Sequence, residues 1–483
     1  MSKAFKRNII TGFLWSFLGQ SGYLIIGLLA NIILARLLSP YEFGQVGIVM
    51  FFIVLAKVLT ESGLSGALIR NNEATEIDFS TVFVFNLGVS LTLMLLLISF
   101  SGSIADFYND SELKHILIVT SSILFINALQ ITQNARLVKN LEFKKKALYE
   151  FIAIFFAAVI GIALAYYNAG VWSIVIMQIA TSLFLTVLLW IFEGPVKTIY
   201  FSKTSFQKLY KFGVNTTLSS LLNTGFDNLY QLILGKYFAI SQTGFFYQGK
   251  KLQEVPVKII KSTTLGVVFS SLSKLQDDSG QFQTYYRRIV TLFTIAVGLI
   301  CLLVYFYAHN IILLLYGEKW LEAVFYMQVL IIASYFYMQE MFNRIIFKVF
   351  DRTEKILYLE IIKKSIQSIS ILIGVLLKSI EILLYGFLVT SIISFFINYY
   401  ESRRVQNNFS WYEVILVIKV AFISLGTALI GFLIDNLFGL ENYQSFYLFP
   451  VLILIFLLTI RVFEISNLEK DLTAVLKIIK SGQ

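Results

Sequence analysis

Apolar runs of about 18 or more residues recur from one end of this chain to the other, and they constrain its fold more than any motif does. Hydrocarbon offers no water to satisfy backbone N–H and C=O groups, so such runs are read as helices that satisfy their own. A transmembrane barrel would need alternating strands of about ten residues instead. Only 14% of the 483 residues are charged, against about a quarter in soluble domains. The expected fold class is an all-α polytopic membrane protein. Fourteen spans are read, near 9–35, 43–69, 80–105, 113–137, 147–167, 171–193, 208–235, 244–275, 286–309, 320–348, 355–377, 381–401, 411–433 and 446–464.

Charge placement tests that count, because loops on the cytoplasmic side collect Lys and Arg. With fourteen spans and the amino terminus inside, 28 of the 39 basic residues fall on the inner side and 5 on the outer. Removing the polar stretch 244–275 as a span would invert every later loop and spoil the bias. Both termini are therefore expected inside. Lys3, Lys6 and Arg7 precede an apolar run from Ile9 to Leu34, too long for the core of a signal peptide, so a retained first span is expected. The net charge of +10 is spread over short loops with no nucleic-acid-binding motif, and no nucleic acid partner is expected. The single cysteine, Cys301, excludes an internal disulfide, and the two distant histidines, His115 and His309, are expected at interfaces.

A weak internal repeat is present. Residues 31–44, NIILARLLSPYEFG, align without gaps on 231–244, QLILGKYFAISQTG, setting Asn31 on Gln231, Arg36 on Lys236 and Gly44 on Gly244. Such repeats recur in transporters whose substrate path lies between two halves. The expected organisation is an N-lobe of six helices over 1–193, a C-lobe of six over 194–401, and two further helices with a tail over 402–483.

Four constellations could carry chemistry. The stretch 244–275 holds Lys250, Lys251, Glu254, Lys258 and Lys261 largely on one helical side, around Pro256. Ionisable groups at bilayer depth normally face a bundle interior or a wet path. These lysines read either as a wall that binds a phosphate or diphosphate, or as cations that snorkel while Glu254 pairs with Lys258. Lys57 and Glu61, spaced i, i+4, read as a neutralising pair or as a gate. Asn215, Asn223, Asp227, Asn228 and Gln231 form a polar stripe in which Asp227 could couple a cation or bond to neighbouring amides. Glu340 and Arg344, again i, i+4, read as an interfacial ion pair or a gate. The run from Gly244 to Lys251 approaches a phosphate loop, but Lys251 replaces the Ser or Thr that would hold Mg²⁺ and no strand precedes it.

Several stretches together resemble a known family: LARLLSPYEFGQVGIV (34–49), GLSGALIRNNEATEIDFSTVFVFNLGVS (63–90), LEFKKKALYEFIA (141–153), GVWSIVIMQ (170–178), KFGVNTTLSSLLNTGFDNLYQLILGKYF (211–238), SSLSKLQDDSGQFQTYYRRIV (270–290) and GEKWLEAV (317–324). Their order resembles the polysaccharide transporter family of the MOP flippase superfamily, in its colanic-acid and teichuronic-acid exporter branch. At 350–353, Phe-Asp-Arg-Thr stands where that family often has Leu-Gly-Arg. The resemblance implies two six-helix lobes around a central cavity plus two helices. It implies flipping of undecaprenyl-diphosphate-linked oligosaccharide across a bacterial cytoplasmic membrane by ion- or potential-driven alternating access. No enzymatic activity and no cofactor or metal are implied. A membrane polymerase or ligase is the alternative from the enzyme class, and a multidrug exporter of the same fold is another. The cationic cavity would be served by Lys250, Lys251, Lys258, Lys261, Lys57 and Arg36, and coupling or gating by Asp227, Glu61, Glu254, Glu340 and Arg344. A monomer is expected, with membrane lipid, a polysaccharide polymerase and glycosyltransferases as candidate partners.

Overall fold

In the computed structural model the described residues run from 3 to 465, except Ser62, Asn72, Lys197, Lys274, Asp277, Thr353, Asn408 and Glu441; side chains are described from Gly19 onward, with 20, 211–216, 219, 262–267, 270, 279 and 442 left aside. Every element among them is helical. The Asn215 side chain, Thr353 and the carboxyl-terminal tail with Lys470, Lys477 and Lys480 therefore lie outside what is described. The chain divides into two compact units, residues 1–247 and 248–483.

The first unit contains α1 (Lys3–Leu37), α2 (Pro40–Glu61), α3 (Leu64–Arg70), α4 (Glu76–Tyr108), α5 (Glu112–Ala128), α6 (Ile131–Lys139), α7 (Phe143–Tyr166), α8 (Trp172–Glu193), α9 (Lys203–Tyr237) and the start of α10 (Ile240–Ser273). Here α1 and α8 pack on α7, α5 packs on α4, and α2 lies along α9 and α5. The start of α4 is set by a capping box: the Thr75 side chain accepts from the Asp78 N–H at 3.4 Å, and the Asp78 carboxylate accepts from the Thr75 N–H at 2.9 Å.

Two expected spans each consist of two helical segments. The stretch 43–69 divides into α2 and α3 at Gly63, whose φ of 62° is a left-handed conformation that costs glycine little. The stretch 113–137 divides into α5 and α6, bent by 42°. That bend weakens the helical claim on nearby carbonyls, and two side chains of α8 take them up. The indole N–H of Trp190 donates to the Leu129 carbonyl at 2.9 Å, and the Thr186 hydroxyl to the Ile126 carbonyl at 3.2 Å.

The two copies of the repeat meet within this unit. A Cβ added to Gly44 would lie 1.9 Å from the Ile240 carbonyl oxygen, and one added to Gly244 would lie 1.9 Å from that of Pro40. Each contact is the other shifted by 200 residues, so α2 and α10 cross on a local pseudo-two-fold axis where only glycine fits.

The second unit contains the rest of α10, then α11 (Ser279–Phe306), α12 (Ala308–Leu315), α13 (Ala323–Val349), α14 (Glu354–Leu376), α15 (Ile380–Gln406), α16 (Tyr412–Phe438) and α17 (Phe449–Val462). Helix α15 packs between α13 and α14, and α16 and α17 attach through α11. The core joins Phe282, Tyr286, Phe342, Phe395, Val417 and Phe456. Among the described residues eight helices are long and apolar enough to cross a membrane, or nine if α5 and α6 form one bent span. Helices α9, α10, α13 and α14 have the length but are not among them.

Candidate functional site

Helix α10 runs unbroken through Pro256 and carries the basic stretch on one side. Proline lacks the N–H that would bond the Leu252 carbonyl, so one acceptor is freed in the middle of the cationic turns. The Lys258 ammonium lies 2.6 Å from one Glu254 oxygen, and that of Lys250 lies 3.8 Å from the other. One carboxylate is thus flanked by a cation one turn before it and one turn after. The side chains of Lys250, Glu254 and Lys258 are 19%, 34% and 56% exposed. Lys251 is half-buried and Lys261 exposed. This side of α10 carries four lysines to one glutamate. Glu254 thus pairs with Lys258 and Lys250 on the same face that carries Lys251 and Lys261.

The other candidate residues are placed as follows. Lys57 lies 3.9 Å from Glu61 on α2, with both about half-exposed. Arg36 is exposed in the last turn of α1. Asp227 is exposed on α9, where the neighbouring Asn228 side chain donates to the Thr224 carbonyl at 2.9 Å and Gln231 is buried. His115 and His309 are exposed and Cys301 is buried. No cluster suited to a metal ion is found among the described residues.

Glu340 and Arg344 belong to a larger group. Arg344 lies 3.9 Å from Glu340 and 2.8 Å from Glu360 of α14. Lys363, also of α14, pairs with Glu340 and lies 2.8 Å from Glu360. The quartet is electrically neutral, and the Lys363 and Glu340 side chains are only 7% and 5% exposed. Lys363, which falls inside the expected span 355–377, is a buried partner on α14. Its spacing of i, i+3 from Glu360 was the available signal.

A second buried group was missed altogether. Glu413 of α16 pairs with Arg403 of α15, accepts from the Tyr286 hydroxyl at 3.0 Å and from the Asn343 side chain, and Ser402 donates to Asn343 at 2.6 Å. The Arg403 guanidinium also lies 4.7 Å from the Tyr286 ring centre. Four helices converge there. Nothing local in the sequence pairs a glutamate with an arginine ten positions upstream.

Comparison with known proteins agrees with this architecture. The chain is similar to the lipopolysaccharide biosynthesis protein WzxC of Escherichia coli (strain K12), 23% identical over 68% of this chain and 67% of that protein. It is similar to the succinoglycan biosynthesis transport protein ExoT of Rhizobium meliloti (strain 1021), 22% identical over 67% of this chain and 64% of that protein. It is also similar to the teichuronic acid biosynthesis protein TuaB of Bacillus subtilis (strain 168), 22% identical over 68% of each. The matches thus span about two thirds of these relatives' lengths. Among solved structures, a lipid II flippase, MurJ, superposes with a TM-score of 0.75 at 16% identity over 93% of this chain and 98% of that one. A MATE-family multidrug resistance transporter of the MOP superfamily follows at 0.60, 16% identity, over 80% of this chain and 96% of that one. The fold is therefore that of the MOP flippases and exporters. Residues 33–325 match the family described as polysaccharide biosynthesis protein, and the chain belongs to that family.

Proposed function

We propose that this protein is a flippase that carries a lipid-linked oligosaccharide, a surface-polysaccharide precursor, across the cytoplasmic membrane, with no covalent step of its own. The single observation that carries the reading is the gathering of four lysines about one glutamate on one side of α10, in a chain of this family and fold. A lipid diphosphate must be moved through apolar core, and lysines fixed at depth lower that barrier by charge. Lys250 and Lys258, with Lys251 and Lys261, meet the diphosphate; Glu254 spaces them. Undecaprenyl diphosphate is the expected carrier lipid. Lobes at 1–193 and 194–401, fourteen spans, inward-facing termini, alternating access, a monomeric state, and a polymerase and glycosyltransferases as partners complete the proposal. Lys57 and Arg36 are secondary cation candidates, with Glu61 beside Lys57 as a gate.

Two experiments test it. Lys258→Ala with Lys261→Ala should abolish surface glycan in cells that depend on this protein while leaving folded protein in the membrane. Unchanged glycan overturns the role of α10. Asp227 is the candidate site for a driving ion, since it is an exposed carboxylate within the polar stripe of α9. Asp227→Asn should change how glycan export responds to collapse of the proton or sodium gradient, and an unaltered response makes Asp227 structural.

A further inference from the structure

Between α8 and α9, the described residues 194–196 and 198–202 are held by side chains of α4 and α6. Ser80, fully buried, accepts from the Tyr200 N–H at 2.7 Å and donates to the Thr198 carbonyl at 2.6 Å, with the Tyr200 carbonyl at 2.8 Å. The Thr81 hydroxyl accepts from the Ser202 N–H at 3.1 Å, and Gln133 donates to the Gly194 carbonyl at 3.4 Å. The strap is therefore held at both ends and in its middle. Yet it presents Ile199, Tyr200 and Phe201 outward, 79%, 60% and 42% exposed. Phe201 continues into a ring series with Phe206 at 5.6 Å and Tyr210 a further 5.0 Å on.

A surface strap that hides its polar backbone contacts and offers three consecutive large apolar side chains is anomalous for a loop in water. It is what the membrane interface accepts, where aromatic rings sit at headgroup depth. The charges around it favour one lipid class. Lys203 and Lys208 are exposed just beyond the strap. Of the nearby acids, Glu76 is held by Arg136 at 2.9 Å and Asp78 by the capping box and the charge of Lys208, while Glu73 is exposed. Lys139 donates to the Asn71 carbonyl.

We propose that Ile199 to Phe201 form an interfacial foot that docks on anionic phospholipid headgroups of the inner leaflet, Lys203 and Lys208 meeting the phosphates. Each such lysine near an anionic surface contributes on the order of 1 kcal/mol, or about fivefold in binding. The leaflet rests on the topology proposed above; the docking does not.

The test uses the full chain with Cys301→Ala and Ile199→Cys, carrying an environment-sensitive thiol fluorophore. The labelled protein is reconstituted in phosphatidylcholine and in phosphatidylcholine mixed with phosphatidylglycerol. Lipids brominated near the headgroup should quench most of the emission, more strongly with phosphatidylglycerol present. Adding Lys203→Gln and Lys208→Gln should remove that increment while leaving the phosphatidylcholine value. Unquenched emission in both lipids overturns the foot, and equal quenching in both overturns its preference for anionic lipid. An impermeant thiol reagent that reaches the introduced thiol from outside intact cells would instead overturn the topology, whatever the quenching shows.

Discussion

Helix α10 and the α13–α14 pair use the same residue types at the same spacing to opposite ends. On α10, Lys250, Glu254 and Lys258 follow one another at i, i+4, partly exposed, with Lys251 and Lys261 on the same side, four lysines to one glutamate. Between α13 and α14, two acids and two bases close on one another with a net charge of zero and Lys363 and Glu340 nearly fully buried. The quartet bridges α13 and α14, which meet at few other points, while α14 lies along α15. A neutral, closed, buried cluster joins helices; a cationic, open, half-exposed one is available to a ligand. Spacing alone does not separate the two, and burial with net charge does.

The largest effect should come from opening the closed cluster. Lys363→Met leaves Glu340 buried with only Arg344, 3.9 Å away, and should cost about 3–5 kcal/mol. Thermal unfolding of the purified protein in detergent would read it. Replacing Glu340 by Gln in the same chain should recover most of the loss, since the remaining Arg344–Glu360 contact is intact at 2.8 Å. A Lys363 variant as stable as the parent would erase the distinction between the clusters. The Arg403–Glu413 group provides a second instance, because Glu413→Ala strands a buried guanidinium that already has an unsatisfied Nε.

Next in size is a change at the packed end of α10. Gly244→Ala drives a methyl against the Pro40 carbonyl, a backbone atom that no rotamer change can move aside. A cost of about 1–3 kcal/mol is expected. Its repeat counterpart Gly44→Ala should cost a similar amount, and a large disparity would deny the local symmetry. By contrast Lys258→Gln, fourteen positions along the same helix from Gly244, should lower stability by no more than about 1 kcal/mol. Its effect belongs to export.

The helix positions were legible, since each of the fourteen expected stretches coincides with a helix or a pair of helices, of which eight or nine among the described residues are long and apolar enough to cross a membrane. Where the breaks fall was not. The α5–α6 bend is stabilised by Trp190 and Thr186, about sixty residues on, and no pattern around Leu129 announces partners so distant. The same limit applied at the candidate site. Local spacing found Arg344 for Glu340, at 3.9 Å, and missed Lys363, the nearer partner from the next helix. Conversely, a gapless repeat of fourteen residues located Gly44 and Gly244 before any contact was seen, because the tight crossing demands glycine in both copies.

The smallest effect is expected at Lys57 and Glu61, and it sharpens the comparison most. They share the i, i+4 spacing but have 3.9 Å between charges, half-exposed side chains and no net charge. They have neither the burial of the quartet nor the four lysines of α10. Glu61→Gln should therefore change stability by at most about 0.5 kcal/mol. It should also leave glycan export intact if the pair only neutralises itself. Loss of export with unchanged stability would instead assign Glu61 to a gate. Because Gly63 lies two residues beyond, such a gate would act at the joint between α2 and α3. Charge reversal at both positions, Lys57→Glu with Glu61→Lys, separates these outcomes: a neutralising pair survives the exchange, whereas a gate that meets the substrate by sign does not.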